Sequence, residues 1–104
     1  MKRPDVVDRI KKEVKKLEPH VEMILYGSEA RGDARRDSDI DLLMLVDSDR
    51  VTYAEKDAIL TPLYDIELYT GIIICSIIMP RKECENRPFL TPFQDNVNRE
   101  GIRL

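Results

Sequence analysis

The chain has 104 residues, a formal net charge of −3, and 42% hydrophobic and 36% charged residues. This composition is typical of a soluble protein, and the length suits one domain over residues 1–104 with one modest core. The acidic balance argues against direct DNA binding by a basic surface. Two cysteines without CxxC spacing and a single histidine provide no ligand set for zinc.

The apolar stretches exclude a membrane-spanning helix. The longest runs, residues 42–46 and 72–79, are far shorter than the roughly 20 residues that cross a bilayer. The N-terminal segment is charged and is not followed by the apolar stretch of a signal peptide. We therefore expect a cytoplasmic protein.

The first predicted elements are a helix and a strand. Apolar residues recur at three- and four-residue spacing from Asp5 to Leu17, which predicts an amphipathic helix that Pro19 ends. Residues 21–26 predict a short strand, which Gly27-Ser28 breaks. Residues 28–34 then predict one or two helical turns with Ser28 near the N-cap.

The second predicted strand covers residues 40–46. Its beginning alternates, with Asp39 and Asp41 on one face, and its remainder is continuously apolar, as in a central strand. Residues 51–69 predict a helix that Pro62 breaks or kinks, although residues 64–69 also alternate like a strand. Gly71 is expected to end this helix.

The remaining elements complete an α/β (α+β) pattern. Residues 72–79 predict a third strand, rich in β-branched residues, and residues 81–87 a short helical turn. Thr91-Pro92 predicts the start of a last helix that runs to about Glu100 and ends at Gly101. Alternating helices and strands favour a small mixed sheet flanked by helices.

Gly27 and Ser28 form a candidate phosphate site between a strand and a helix. Glycine lets the backbone approach a ligand closely, and the start of a helix offers unpaired N–H groups and a positive dipole end. The Ser28 hydroxyl adds a hydrogen-bond donor. These features suit a di- or triphosphate.

Asp39 and Asp41 form a candidate metal site. They are two residues apart on a strand, so their side chains project from the same face. Paired carboxylates hold a hard cation such as Mg²⁺, which completes its shell with waters and substrate phosphates. An unpaired carboxylate beside a buried apolar run is costly, and a bound cation explains its presence. A phosphate cradle beside a metal-carboxylate pair points to phosphoryl or nucleotidyl transfer.

The two motifs together resemble the signature of the minimal nucleotidyltransferases of the DNA polymerase β superfamily. The matching residues are Gly27, Ser28, Ala30, Arg31 and Gly32, followed by Ser38, Asp39, Asp41 and Leu42. The resemblance implies a polymerase β-like nucleotidyltransferase fold and Mg²⁺- or Mn²⁺-dependent transfer of a nucleoside monophosphate, AMP from ATP, to a hydroxyl acceptor.

The resemblance also implies roles for individual residues. Asp39 and Asp41 would bind the metal, and Gly27 and Ser28 would hold the nucleotide phosphates. Arg31 would either steady the phosphate loop by pairing with an acid or contact a phosphate directly.

One departure from the family pattern concerns a third carboxylate on a neighbouring strand. The third predicted strand has no acidic residue, and Gly71 and Cys75 occupy the region where the acid is expected. Asp65 or Glu67 would fill the role only if their segment were a strand. Without a third acid, the chain would be a weak enzyme or a nucleotide binder that no longer catalyses.

The resemblance also implies a partner. Similar stand-alone chains are often paired with a small helical HEPN-domain protein in toxin–antitoxin modules, where the nucleotidyltransferase is the antitoxin. One hypothesis is therefore an enzyme that modifies its partner, and the other is a regulatory module that acts by protein–protein binding. Transfer to RNA is a less favoured third alternative, because the chain is acidic and lacks an RNA-binding extension.

Overall fold

The computed structural model describes residues 3–16, 21–85 and 97–104. Within them, helices and strands alternate along the chain. Their order is α1 (Pro4–Lys15), β1 (Val21–Tyr26), α2 (Gly27–Arg31), β2 (Ile40–Val46), α3 (Tyr53–Thr70), β3 (Ile74–Pro80), α4 (Arg81–Glu85) and β4 (Ile102–Arg103). Residues 97–100 form a further helical turn before β4.

The strands form one mixed four-stranded sheet in the order β3-β2-β1-β4. Strand β1 is antiparallel to β2 and to β4, whereas β2 and β3 are parallel and connected through α3. Strand β2 has a neighbour on both sides and is buried along nearly its whole length, which explains its continuous apolar run. The predicted mixed sheet flanked by helices is confirmed.

Two hydrophobic clusters lie on opposite faces of the sheet. The larger one joins the sheet to α1 and α3, and its fully buried side chains include Ile10, Leu25, Ile40, Leu42, Met44, Val46, Leu63 and Ile66. The smaller cluster consists of Leu43, Leu45, Met79 and Val97. Because successive residues of β2 alternate between the faces, Asp41 belongs to the face with the smaller cluster.

Helix α1 is fixed to α2 by a buried ion pair. Pro4 occupies its first turn, where a missing N–H costs nothing. Arg3, the N-cap residue, donates its backbone N–H to Oε2 of Glu29 over 2.9 Å and its Nε to Oε1 over 2.5 Å. Glu29 is fully buried, so this contact fixes the start of α1 against the turn that follows β1.

Helix α3 is continuous, and the prediction of a broken helix is wrong. It starts with a capping box between Thr52 and Glu55, runs through Pro62 and ends at Gly71 in the left-handed conformation. The proline deprives the carbonyl of Ala58 of its partner, but Ala58 is exposed and water can replace that bond. Because residues 64–69 are helical, their alternative as a strand is excluded.

The other element boundaries agree with the sequence to differing degrees. Strands β1 and β2 have the predicted bounds, whereas β3 starts two residues later, at Ile74. Helix α2 starts at Gly27 with Tyr26 as its N-cap residue, so the placement of Ser28 near the N-cap is corrected by two positions. The predicted helix start at Thr91-Pro92 lies outside the described residues, and β4 was not predicted.

Large apolar side chains are exposed on α3 and just before β3. Leu68 is 86% exposed, Tyr69 77%, Ile73 60% and Tyr64 54%, and the Tyr69 ring lies beneath the Arg9 guanidinium of α1 at 4.4 Å. Helix α3 therefore carries apolar residues on its solvent side as well as on its core side. In the part of the chain that the structure describes, no helix is long and apolar enough to cross a membrane.

Candidate active site

The candidate site lies at one end of the strands, where β1 ends and where β2 and β3 begin. Tyr26, Asp41 and Cys75 are aligned across the three strands, with Tyr26 opposite Asp41 and Asp41 opposite Cys75. Residues aligned across neighbouring strands project from the same face. The three side chains therefore form a row on the face away from α1 and α3.

Asp39 joins this row from the residue before β2. Its Oδ2 atom accepts a hydrogen bond from the thiol of Cys75, with 3.3 Å between the heavy atoms. The backbone N–H of Ile40 donates to the carbonyl of Ile73 over 2.9 Å, which fixes the segments entering β2 and β3 side by side. Both predicted aspartates thus lie at one site, next to a cysteine.

The electrostatics of the row oppose negative charge. Burial raises the pKa of Asp41, and the nearby Asp39 carboxylate raises it further, while Arg31 acts in the opposite direction. Burial is also the main reason that the pKa of Tyr26 rises to about 12 and that the pKa of Cys75 is raised. A cation placed between the carboxylates would offset these effects.

Gly27 makes the close approach between the turn after β1 and the start of β2 possible. Its φ is +76°, a conformation that side chains with a Cβ rarely adopt. A Cβ at this position would also lie 2.5 Å from Oδ2 of Asp41. Glycine is therefore required both by the backbone conformation and by the proximity of the carboxylate.

Ser28 follows in the first turn of α2 and is half-buried. Its backbone carbonyl accepts hydrogen bonds from the N–H groups of Gly32 and Asp33, which closes the short helix. Gly27 and Ser28 are thus the first two residues of α2, directly after β1, and Gly27 lies beside Asp41. A phosphate bound at this loop would lie within reach of a metal held by the aspartates.

Arg31 is paired with two acids. Its NH1 atom donates to both oxygens of Glu100 over 3.0 Å, and its Nε donates to Oδ2 of Asp33 over 3.1 Å. These acids raise the pKa of Arg31, with Asp33 as the larger cause. Of the two predicted alternatives, pairing with an acid is therefore the one present here.

Glu100 is a site residue that the sequence did not reveal. In addition to its ion pair with Arg31, Glu100 accepts a hydrogen bond at Oε2 from the backbone N–H of Gly27 over 3.3 Å. The carboxylate thus connects the turn before β4 to the glycine-serine loop. The two residues are 73 positions apart, and no periodicity or motif connects them.

The residues at the site fit a hard cation with two protein ligands. Asp39 and Asp41 offer carboxylate oxygens, and Mg²⁺ commonly uses one or two carboxylates with waters and phosphates. Among the described residues, no group of three or more histidine, cysteine or acidic side chains is arranged to hold a metal. Cys75, not an acid, occupies the position beside Asp41 on β3.

Neither Asp65 nor Glu67 lies on a strand next to the aspartates. Both belong to α3, and Asp65 is exposed. Glu67 uses its Oε1 atom to accept the backbone N–H of Ile74 over 2.7 Å, which caps the beginning of β3. The condition under which either residue would supply a third carboxylate is therefore not met.

Two comparisons with known proteins bear on this site. The family model described as a nucleotidyltransferase domain matches residues 7–99, which include both motifs. No curated protein matches the chain.

Proposed function

The chain belongs to the nucleotidyltransferase domain family, and we propose that it transfers AMP from ATP to a hydroxyl acceptor with the help of Mg²⁺ or Mn²⁺. Transfer of a nucleoside monophosphate is the reaction of the family. The nucleotide, the metal and the affiliation with the minimal nucleotidyltransferases are our proposal. The observation that carries it is the contact of the Gly27 loop with the Asp41 carboxylate, beside Asp39.

Each residue of the site has a proposed task. Asp39 and Asp41 hold the metal, and Gly27 and Ser28 bind the phosphates through the start of α2. When bound, the metal neutralises charge on the phosphates. The acceptor oxygen forms a bond to the α-phosphorus, the bond from that phosphorus to the β-phosphate oxygen breaks, and pyrophosphate leaves. Glu100, paired with Arg31, positions the loop through the Gly27 N–H.

The acceptor proton has no evident base at the position of the missing acid. Cys75 occupies that position, and in the absence of a metal ion burial and the neighbouring Asp39 raise the pKa of its thiol, which favours the neutral form. A neutral thiol neither attracts the metal as a carboxylate does nor accepts the proton. This supports slow transfer by the isolated chain.

Calorimetric titration tests the metal-nucleotide site. ATP is titrated into the wild type and into Asp39→Asn/Asp41→Asn, each with Mg²⁺ and with EDTA. Binding is expected only for the wild type with Mg²⁺. The control Asp57→Asn/Asp65→Asn changes the charge equally on exposed positions of α3 and should bind like the wild type. Equal ATP binding with Mg²⁺ and with EDTA, and equal binding by the wild type and Asp39→Asn/Asp41→Asn, would contradict the proposal.

A specific observation also favours the alternative, an antitoxin or regulatory module that acts by protein–protein binding. Leu68, Tyr69 and Ile73 are exposed apolar side chains in the area around the end of α3 and the beginning of β3. Exposed apolar residues that cluster on a surface mark interaction sites. We propose a HEPN-domain protein as the partner, with this area as its contact.

Mass spectrometry of the partner separates the two functions. The chain is incubated with ATP, Mg²⁺ and the HEPN-domain protein proposed as its partner. A mass increase corresponding to AMP supports the enzyme. A stable complex without modification, weakened by Leu68→Ser/Tyr69→Ser but not by Lys15→Ser/Lys16→Ser, supports the binding module. Absence of both modification and complex would overturn the antitoxin assignment.

A further inference from the structure

A cavity of about 490 Å³ opens beside the candidate site and contains three arginines. It is bounded by the start of α1, the loop after α2 and the end of α3. Arg3, Arg35 and Arg36 line it together with residues 70–72. The cavity differs from the site around Asp41, whose residues are not among its lining.

Arg3 lines this cavity and carries hydrogen-bond donors that lack a partner. Glu29 accepts from its Nε and its backbone N–H. The terminal nitrogens NH1 and NH2 are buried and have no hydrogen-bond partner among the described residues. Buried donors without partners are costly, and a shift of the Arg3 side chain towards the cavity would let an anion accept two parallel hydrogen bonds from it.

Arg35 and Arg36 come from a loop with a fixed backbone. The N–H of Arg35 donates to the Ser38 hydroxyl over 2.8 Å, and the N–H of Ser38 donates to the carbonyl of Arg35 over 3.0 Å. Both arginine side chains are exposed at the mouth of the cavity. The loop therefore brings two positive charges to the cavity, whereas the charge of Arg3 is paired with that of Glu29.

The cavity and the candidate site share the same two chain segments. The loop with Arg35 and Arg36 leads within three residues to Asp39, and the end of α3 leads within a few residues to Cys75. The hydrogen bond from Ile40 to Ile73 joins these segments between the two sites. A ligand anchored in the cavity, between the start of α1 and the end of α3, would extend past the beginning of β2 to reach the aspartates, whose side chains project from the other face.

We propose that this cavity binds the phosphate group of the acceptor, so that the acceptor is a phosphate monoester. Arginine forks match phosphate oxygens in pairs, and the volume accommodates a phosphate with part of the attached molecule. The assignment of the ligand as acceptor rests on the proposed function, whereas binding of the phosphate monoester does not.

Binding in the absence of metal tests the cavity. Ribose 5-phosphate, with ribose as the phosphate-free control, is titrated into the ¹⁵N-labelled full chain in EDTA. Shifts are expected at the amides of Ala34, Gly71 and Ile72, and Arg35→Ala/Arg36→Ala should weaken binding by roughly tenfold or more. Lys15→Ala/Lys16→Ala makes the same charge change on α1, and this control should bind normally.

Three results would overturn the cavity as a phosphate site. They are equal binding of ribose, equal weakening by both pairs of substitutions, and shifts confined to Gly27 and Ser28. The last result would place the anion at the nucleotide loop instead.

A second titration, in the presence of saturating Mg²⁺ and ATP, tests the role as acceptor site. The ribose 5-phosphate shifts should persist, because the acceptor and the nucleotide must be bound together. Displacement by ATP would mean that the cavity is part of the nucleotide site and would overturn the acceptor assignment. If ATP does not bind at all but the EDTA titration succeeds, the proposed function and the acceptor assignment fail while the phosphate site stands.

Discussion

Gly27 and Asp41 lie so close together that a methyl group on residue 27 would overlap the carboxylate, with 2.5 Å from its Cβ to Oδ2. The turn after β1 therefore limits where the Asp41 side chain can lie. The same contact brings the first turn of α2, in which the Gly27 N–H donates to Glu100, next to the proposed metal ligand.

Gly27→Ala should lower both stability and metal-dependent ATP binding. The left-handed conformation costs about 1–2 kcal/mol for a residue with a Cβ, and overlap with Asp41 adds about 1–3 kcal/mol. Gly71→Ala is the matched control, because Gly71 has φ +74° but nothing within 4 Å of its Cβ position. Urea unfolding should show a larger loss for Gly27→Ala, and calorimetry should show weaker ATP binding for this variant alone. Equal losses in both assays would contradict the overlap.

Asp41→Asn should make the metal-free protein more stable at neutral pH. Folding raises the pKa of Asp41, so the folded state favours the protonated carboxyl group. The contribution of this group to the free energy of unfolding is fully present below its ordinary pKa of 3.8 and is lost as the pH rises through the raised pKa. Melting temperatures in EDTA should therefore diverge from about pH 4 upwards, with the variant above the wild type. Adding Mg²⁺ should stabilise the wild type but not the variant. Asp65→Asn, on the exposed face of α3, should follow the wild type throughout.

Glu100→Gln should loosen the glycine-serine loop. The substitution removes the charge that pairs with Arg31 and weakens the acceptor for the Gly27 N–H. We expect a lower melting temperature and faster hydrogen exchange at Gly27. Asp33→Asn provides the comparison, since Asp33 also pairs with Arg31 but its side chain is 62% exposed, against 20% for Glu100. An equal or larger effect of Asp33→Asn would show that Glu100 does not position the loop.

Cys75→Asp should strengthen metal binding by roughly tenfold or more, because it places a third carboxylate beside Asp41 on the neighbouring strand. The same substitution should lower the melting temperature in EDTA, since three carboxylates then repel one another. Cys75→Asn adds a polar group without charge and should change neither property in this direction. Mn²⁺ titration followed by electron paramagnetic resonance measures the affinity. Unchanged affinity would exclude position 75 from the metal shell.

Glu29→Ala should destabilise the protein by about 3–5 kcal/mol, because it leaves the Arg3 guanidinium buried without its partner. Glu13→Ala removes an exposed ion pair with Lys16 and should cost at most about 1 kcal/mol. Urea unfolding followed by circular dichroism measures both. A small loss for Glu29→Ala would show that the ion pair does not anchor α1.

The parts of the fold that were predicted correctly depend on strong local signals. Strands β1 and β2 are continuous or alternating apolar runs that end at turn residues, and their bounds agree with the prediction. Strand β4 has only two residues, too few to show the alternation of apolar and polar residues from which a strand is predicted. The break predicted at Pro62 was wrong, because the packing of Leu63 and Ile66 in the core outweighs the local loss of one hydrogen bond.

The site was predictable only as far as its motifs are local. Gly27, Ser28, Asp39 and Asp41 belong to two short motifs, and the structure brings them together at the end of β1 and the start of β2. Glu100 reaches Gly27 only because β4, which follows it, pairs with β1, and this pairing is not visible in the sequence. The alignment of Cys75 with Asp41 depends on the register of two parallel strands separated by α3, and nothing in the spacing sets that register.

The central position of β2 has a consequence for how the site fluctuates. Its residues from Leu42 onwards are buried between β1 and β3. Segments of this kind exchange their amide protons only in the rarest, most extensive openings, whereas loops and chain ends open often. Asp41 is therefore attached to the most persistent part of the molecule. This carboxylate therefore keeps its position through local openings elsewhere in the chain.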